Sequence, residues 1–185
     1  MLRSGELLAA HRDELFDLDG ENPRFEVPLK RVKKRRVIQQ PLSDLAVEII
    51  REALVSDRQQ FGDQPMNRKV MAAALRGTKV KGKVKTQGIC ALLRLRPFTP
   101  HDLRRTAATL AGDLGFDDSW IAKCLDHAAS KKQEQIVPSV TGKVYNHSKR
   151  MKEKRAVLDG VAAELRRIIG EPPVKAVDPK LRLAA

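Results

Sequence analysis

A histidine and an arginine at the start of one predicted helix are the first candidates for chemistry. His101 and Arg104 stand three residues apart, so a helix places them on one face. Apolar Leu103, Ala107 and Leu110 fall on another face. A helix N-terminus presents N–H groups and partial positive charge, so this pair could bind a phosphate. A solvated, basic first turn is the alternative interpretation of the same residues.

A second candidate is Tyr145, the one tyrosine of the chain. Residues 143–150 (Lys-Val-Tyr-Asn-His-Ser-Lys-Arg) are largely basic and polar, so a position deep in an apolar core is not expected. A phenol has a pKa near about 10. As a nucleophile it needs its proton removed and its developing charge stabilised, and a basic setting can supply both.

Other motifs give little support for a cofactor or a metal. Cys124 and His127 stand three residues apart and form half of a zinc-ligand pattern, but no second pair at ligand spacing completes it. Neither Gly-x-Gly-x-x-Gly nor Gly-Lys-Ser/Thr occurs, so no nucleotide site is predicted. We therefore expect no metal, no cofactor and no nucleotide.

The charge balance indicates a polyanionic partner. The 185 residues carry 36 Lys and Arg against 23 Asp and Glu, a formal charge of +13, which favours nucleic acid. No apolar run approaches the roughly 20 residues that span a bilayer, and the first residues lack the apolar region of a secretory signal. Cys90 and Cys124 are too few for a disulfide scaffold, so a reducing cytoplasm is the expected location.

The elements that position these residues are predicted to form a mostly α domain with a small β-hairpin. Helical spacing predicts helices over 4–18, 44–54, 67–76, 101–114, 120–127 and 144–169, with Ser119 capping the fifth. Two short strands, 25–27 and 37–38, flank a basic tip. Segment 76–88 holds five basic residues and no acid and predicts a mobile loop or weak hairpin. We expect one domain over residues 1–170 and a flexible tail over 171–185.

Three segments resemble the boxes of the tyrosine recombinases, the phage integrase family. Residues 98–106 (Phe-Thr-Pro-His-Asp-Leu-Arg-Arg-Thr) resemble its His-x-x-Arg box, residues 125–127 its Leu-Gly-His box, and residues 144–146 its nucleophile segment. Upstream, residues 3–7 resemble the first Arg box, and residues 28–43 resemble the hairpin that brings the catalytic lysine. That lysine falls on Lys33, with Lys34 as the alternative. The amino-acid sequence of the His-x-x-Arg box is typical of integrases of prophages and genomic islands, which are mobile genetic elements.

This resemblance implies the tyrosine recombinase catalytic-domain fold and site-specific DNA recombination without metal or ATP. Tyr145 would attack a DNA phosphodiester and form a 3′-phosphotyrosine. Arg3 and Arg104 would hold the non-bridging oxygens, and Lys33 would protonate the leaving oxygen. The remaining residues follow from the same resemblance: His101 as acid or base, His127 as a phosphate ligand, and Lys34, Arg35, Arg36, Arg105, Lys143 and Lys149 on the DNA backbone. The partners implied are double-stranded attachment-site DNA and further copies of the chain, joined on DNA through the C-terminal helix.

The chain also departs from the family pattern. It starts two residues before the first Arg box, whereas family members carry a core-site-binding domain and further catalytic-domain helices first. The resemblance therefore implies an N-terminally truncated catalytic domain. Asp126 replaces the commoner Gly and adds an acid near the predicted phosphate. Two alternatives remain open at this stage: a catalytically inactive DNA-binding remnant of an integrase, and an unrelated basic helical protein that binds DNA or RNA.

Overall fold

Helices and two small antiparallel sheets make up the part of the chain that the computed structural model describes, residues 1–32, 36–55, 67–127 and 149–170. The helices are α1 (Ser4–Leu7), α2 (Asp44–Val55), α3 (Arg68–Arg76), α4 (Ile89–Leu92), α5 (Pro100–Asp113), α6 (Asp118–Cys124) and α7 (Met151–Ile169). The strands are β1 (Leu15–Phe16), β2 (Arg24–Val27), β3 (Ile38–Pro41), β4 (Gly77–Val80) and β5 (Lys83–Gln87). The chain is therefore mixed α/β. The predicted tail, residues 171–185, lies outside the described residues.

The first sheet confirms the predicted hairpin and adds a strand to it. Its order is β1-β2-β3, all antiparallel, and β2 pairs with β3 from Arg24 opposite Pro41 to Val27 opposite Ile38. Phe25 and Val27 alternate with more exposed neighbours and are almost fully buried, as expected for a strand with one face on a core. A 3₁₀ turn, Leu29–Arg31, follows β2. Residues 33–35 of the basic tip lie outside the described part of the chain.

The single helix predicted over residues 4–18 is wrong. Helix α1 ends at Leu7, a 3₁₀ turn covers Arg12–Glu14, and Leu15 then pairs with Phe25 in the sheet. The apolar spacing that suggested one helix serves two elements instead. Pairing with β2 satisfies the backbone of Leu15 and packs its side chain on the core, which outweighs a weak local helical preference.

Two apolar cores support the fold within the described residues. The first joins the three-stranded sheet to α2 through residues such as Phe25, Val27, Ile38 and Val47. The second joins α5, α6 and α7. Cys124 is 1% exposed in this second core, and burial raises the pKa of its thiol to about 11, so it serves as a small apolar side chain.

Helix α7 starts later than predicted and packs on its own domain. It begins at Met151, after Arg150 in the left-handed conformation (φ 47°), rather than at Val144. Positive φ is unfavourable for an arginine and interrupts any helix at that point. Val157 and Val161 are buried against the second core, whereas Ile169 in the last turn is exposed. Within the described residues, no helix combines the length and apolarity required to cross a bilayer.

One cap also differs from prediction. Asp117, not Ser119, caps α6: its carboxylate Oδ1 accepts a hydrogen bond from the Ser119 backbone N–H at 2.7 Å. This contact holds the pKa of Asp117 below its usual value. Aspartate is a strong N-cap because its oxygen accepts from the first unpaired N–H groups of the helix. The helix that leads to residues 125–127 is thereby fixed at its start.

Candidate functional site

The first turn of α5 is held by a reciprocal cap between Thr99 and Asp102. Asp102 Oδ2 accepts from the Thr99 backbone N–H at 2.9 Å and from its hydroxyl at 2.7 Å, while Thr99 Oγ1 accepts from the Asp102 N–H at 3.3 Å. The Thr99 side chain and backbone lower the pKa of the Asp102 carboxyl. Pro100 sits at the first helical position, where its missing N–H costs nothing. These contacts set the positions of His101 and Arg104.

Arg104 is buried and bonded to two distant backbone carbonyls. Its side chain donates Nη1 to the carbonyl of Met1 at 2.6 Å and Nη2 to the carbonyl of Leu125. The residue is 8% exposed. Three segments far apart in sequence, namely the N-terminus, α5 and the end of α6, therefore meet at one guanidinium group.

The electrostatics around Arg104 combine burial, a second cation and two carboxylates. Burial, followed by the nearby Arg3, lowers the pKa of Arg104, and the nearby Glu6 and Asp126 oppose that shift. The group stays charged because a guanidinium is not deprotonated in proteins. A cation that is desolvated and faces another cation is stabilised when a negative group enters between them.

Arg3 is anchored through Glu6. The Arg3 backbone N–H donates to Glu6 Oε2 at 2.8 Å, and its Nη1 donates to Oε1 at 2.7 Å. Glu6 is 3% exposed and so provides a fixed support. Arg3 Nη1 also lies 3.8 Å from Asp126 Oδ2. The arginine is held from two sides while remaining partly open to solvent.

Arg3, His101 and Arg104 line one cleft of about 290 Å³. The cleft also contains Arg31, which pairs with Glu14 and whose buried Nε meets no acceptor among the described residues. Three guanidinium groups and an imidazole therefore line this cleft, together with the Glu6 carboxylate that pairs with Arg3. Guanidinium groups suit a small anion, such as one phosphodiester group. A larger cavity of about 660 Å³ lies between α1, α2, α3 and the first sheet, and the described residues that line it include no titratable side chain.

Asp126 borders this site from the end of α6. It adopts the left-handed conformation (φ 50°), which a short polar side chain tolerates and glycine adopts freely. Its carboxylate pairs with Arg36 and lies near Arg3. His127 follows directly and is exposed. An acid therefore lies beside the cleft, and it contacts two of the cations.

The structure thus brings together some of the predicted site residues and leaves others outside the cleft. Arg3, His101 and Arg104 share it, and His127 is next to Asp126 at its edge. Arg105 faces away and lines a different depression with Thr106 and Thr109. The predicted residues that fall outside the described part of the chain are Lys33, Lys34, Arg35, Lys143 and Tyr145.

Two further observations concern the predicted DNA contacts. Arg36 donates to Asp126, and Lys149 Nζ donates to Gln39 Oε1 at 2.8 Å, so both are tied to the fold near the first sheet. Arg31 was missed by sequence reasoning. Its proximity to the basic tip was the available signal, but nothing in the local pattern separates it from its neighbours Lys30 and Lys33.

A cleft that holds arginines from separate segments beside a histidine is chemically suited to an anion such as phosphate. Comparison with protein families agrees with the boxes described above: residues 1–150 match the phage integrase family. The chain belongs to the phage integrase family, whose general role is site-specific recombination of DNA. No curated protein and no solved structure matches the chain.

Proposed function

We propose that this chain is a tyrosine-type site-specific recombinase that cuts and rejoins DNA through a 3′-phosphotyrosine intermediate, as the integrase of a prophage or genomic island. The observation that supports it most directly is the cleft of about 290 Å³ that Arg3, His101 and Arg104 share with a third guanidinium group, that of Arg31. These residues come from two of the family's boxes, nearly a hundred positions apart. The tyrosine recombinase catalytic-domain fold, spanning residues 1–170, is part of the same proposal.

The chemical step exchanges one phosphate ester for another. The Tyr145 phenolate oxygen attacks the phosphorus, a Tyr–O–P bond forms, and the bond from phosphorus to the 5′ oxygen breaks. The phenol proton passes to His101 or a water molecule it orients, and Lys33 gives a proton to the leaving 5′ oxygen. Rejoining reverses these steps. The covalent link conserves the energy of the broken bond, so we propose that neither ATP nor a metal takes part.

The arginines supply the electrostatic part of catalysis. Negative charge builds on the non-bridging oxygens in the transition state, and Arg3 and Arg104 are placed to receive it. Because Arg104 already bonds two carbonyls, its guanidinium is oriented before DNA arrives. His127, next to Asp126, is proposed to donate to the same phosphate. Removing one such donor typically costs about 10²–10³ in rate.

One observation favours the second candidate, a DNA-binding remnant without catalytic activity. Asp126 places a carboxylate 3.8 Å from Arg3 and pairs with Arg36, so an acid competes with DNA phosphate for two cations. A strong competition would leave duplex binding intact and slow cleavage. The two candidates differ in one product, the covalent adduct.

The test is to trap that adduct without knowing the attachment site. The protein is incubated with a pool of nicked duplexes of randomised sequence, so that the short strand released by cleavage diffuses away and rejoining fails. Denatured protein is then recovered and its attached DNA sequenced. The wild-type chain is expected to enrich one sequence family in a covalent adduct, and Tyr145→Phe is expected to give none. Retained duplex binding with no adduct from the wild-type chain would support the remnant instead.

A further inference from the structure

A two-stranded ribbon, β4 and β5 with their flanks over residues 76–88, projects from the end of α3. The strands pair antiparallel from Gly77 opposite Gln87 to Val80 opposite Lys83, with a bulge after Thr78. Lys81 and Gly82 at the tip both have positive φ, 48° and 78°. This is the two-residue turn whose twist matches that of paired strands. The segment predicted as a mobile loop or weak hairpin is therefore a defined hairpin.

The base of the ribbon is closed by glycines. A Cβ on Gly77, which has φ 82°, would lie 2.4 Å from the Thr86 carbonyl oxygen, and one on Gly88 would lie 2.2 Å from the Gly77 nitrogen. Neither contact is tolerable, so the two backbones can approach this closely only without side chains. Above them, the hydroxyls of Thr78 and Thr86 are 2.6 Å apart. These contacts fix the base of the ribbon in one conformation.

The side chains of the ribbon contribute almost nothing to a core. Every residue of β5 is exposed, and Val80 and Val84 are 54% and 61% exposed. Arg76 and four lysines fall within residues 76–88, without one acid. In the described residues no carboxylate pairs with these lysines. The basic residues that share this ribbon are Arg76, Lys79, Lys81, Lys83 and Lys85.

The like charges of these lysines repel one another and destabilise the narrow ribbon. An anionic partner that neutralises the lysines would remove this repulsion. The spacing suits a phosphate backbone. Alternate residues of a strand are about 7 Å apart, so Lys83 and Lys85 reach separate phosphates rather than one. The two strands are about 5 Å apart, and a two-stranded ribbon fits the major groove of B-DNA, about 12 Å wide.

We propose that the ribbon of residues 76–88 is a second DNA-binding element, entering a major groove with its lysines on the flanking phosphates. The proposal rests on the proposed function, since it extends the DNA surface of the same protein. It differs from the cleft in what it does: it adds affinity without contacting the scissile phosphate. Contacts of this kind position a protein on the duplex without reading its sequence.

The test compares two four-lysine variants in duplex binding at several salt concentrations, measured by fluorescence anisotropy with a mixed-sequence DNA. One variant carries Lys79→Gln, Lys81→Gln, Lys83→Gln and Lys85→Gln, and its matched control carries arginine at the same positions. Removing one lysine–phosphate interaction reduces the slope of log affinity against log salt by about 0.9, so the glutamine variant should show a slope smaller by about 2–4. The arginine variant should keep the wild-type slope. Circular dichroism should show both variants folded, because the substituted side chains are exposed.

Several results would overturn the proposal. An unchanged slope in the glutamine variant, with wild-type binding intact, removes the ribbon from the DNA surface and leaves the proposed function standing. Poly-glutamate serves as a probe for an acidic protein partner. If the glutamine variant binds duplex DNA as the wild-type chain does but no longer binds poly-glutamate, the ribbon binds an acidic protein instead. Failure of the wild-type chain to bind duplex DNA at all would contradict the proposed function as well.

Discussion

Arg36 and Asp126, ninety residues apart in sequence, form an ion pair at the edge of the arginine-lined cleft. The same carboxylate lies 3.8 Å from Arg3, which itself is anchored by Glu6. An acid at position 126 therefore pairs with two cations at the edge of the cleft. A DNA phosphate that binds Arg3 or Arg36 has to compete with this carboxylate.

The first prediction follows from this competition. Asp126→Asn keeps a side chain that tolerates positive φ but removes the charge. We expect tighter duplex binding, with the slope of log affinity against log salt steeper by up to about 0.9, because the loss of one negative charge leaves Arg3 and Arg36 with one more net positive charge for a phosphate. Titrations at several salt concentrations measure this. The control is Asp13→Asn, which changes the net charge equally at an exposed acid paired with His11. Equal effects from both variants would mean that Asp126 acts only through net charge.

A second prediction separates two adjacent arginines. Arg104 lines the cleft, whereas Arg105 is exposed and lies outside it. A lysine cannot reproduce the fork that bonds both carbonyls and presents a donor to the phosphate. We expect Arg104→Lys to slow adduct formation about 10²–10³-fold and Arg105→Lys to change it only slightly.

The same pair of variants also reports on folding. Leaving the Met1 and Leu125 carbonyls unpaired should cost Arg104→Lys about 1–3 kcal/mol in the free energy of unfolding. Rates are therefore compared at a temperature where denaturant titrations show both proteins folded. Equal cleavage rates in the two variants would remove Arg104 from the reaction.

A third prediction concerns pH and the buried Lys154 on α7. Burial lowers the pKa of this ammonium to about 8, from 10.5, while it donates to the Gln39 carbonyl. Between these two values the unfolded chain binds more protons than the folded one, so the free energy of unfolding rises as pH rises. In Lys154→Met this contribution is absent. The free energy of unfolding of the wild-type chain, measured relative to that of Lys154→Met, should therefore increase by on the order of 3 kcal/mol between pH 7.5 and 10.5.

The measurement is denaturant unfolding at both pH values, with Lys152→Met as the control for removal of an exposed lysine on the same helix. A stability difference that is the same at pH 7.5 and pH 10.5 for Lys154→Met would show that the ammonium is better solvated than its burial indicates.

A fourth prediction tests the packing that seats α7. A Cβ on Gly160 would lie 2.6 Å from Cε2 of the buried Phe116 ring, whereas a Cβ on Gly112 of α5 meets nothing within 4 Å. Alanine is the better helix former by about 1 kcal/mol at either site. We expect Gly160→Ala to destabilise by about 1–3 kcal/mol because the ring must move, and Gly112→Ala to stabilise. Thermal unfolding gives both, and a stabilised Gly160→Ala would contradict the close contact.

The sequence was informative where local chemistry decides the structure. Thr99 and Pro100 start α5 as their types predict, and the spacing of His101 and Arg104 places both in one cleft. The sequence was less informative where pairing with a distant segment outweighs the local helical preference. Leu15 looks helical beside Leu8 and Leu18, but pairing with Phe25 makes it a strand, and no local pattern encodes that partner.

The support of the site was similarly hidden from sequence reasoning. The hydrogen bonds from Arg104 to the carbonyls of Met1 and Leu125 involve backbone atoms, which carry no residue signature. Arg31 in the cleft is one of several basic residues in its segment, and only the fold separates it from them. Residue types therefore identified the candidate side chains, whereas the contacts that hold those side chains in place depend on the folded structure.

The most direct measurement of the central claim is to identify the linkage in the trapped adduct. After nuclease and protease digestion, mass spectrometry of the peptide that carries DNA locates the modified residue, and end-labelling shows which strand end was released. We expect a phosphotyrosine at Tyr145 joined to a 3′ end, with a free 5′ hydroxyl on the released piece of the same strand. A linkage at another residue, or a linkage to a 5′ end, would contradict it.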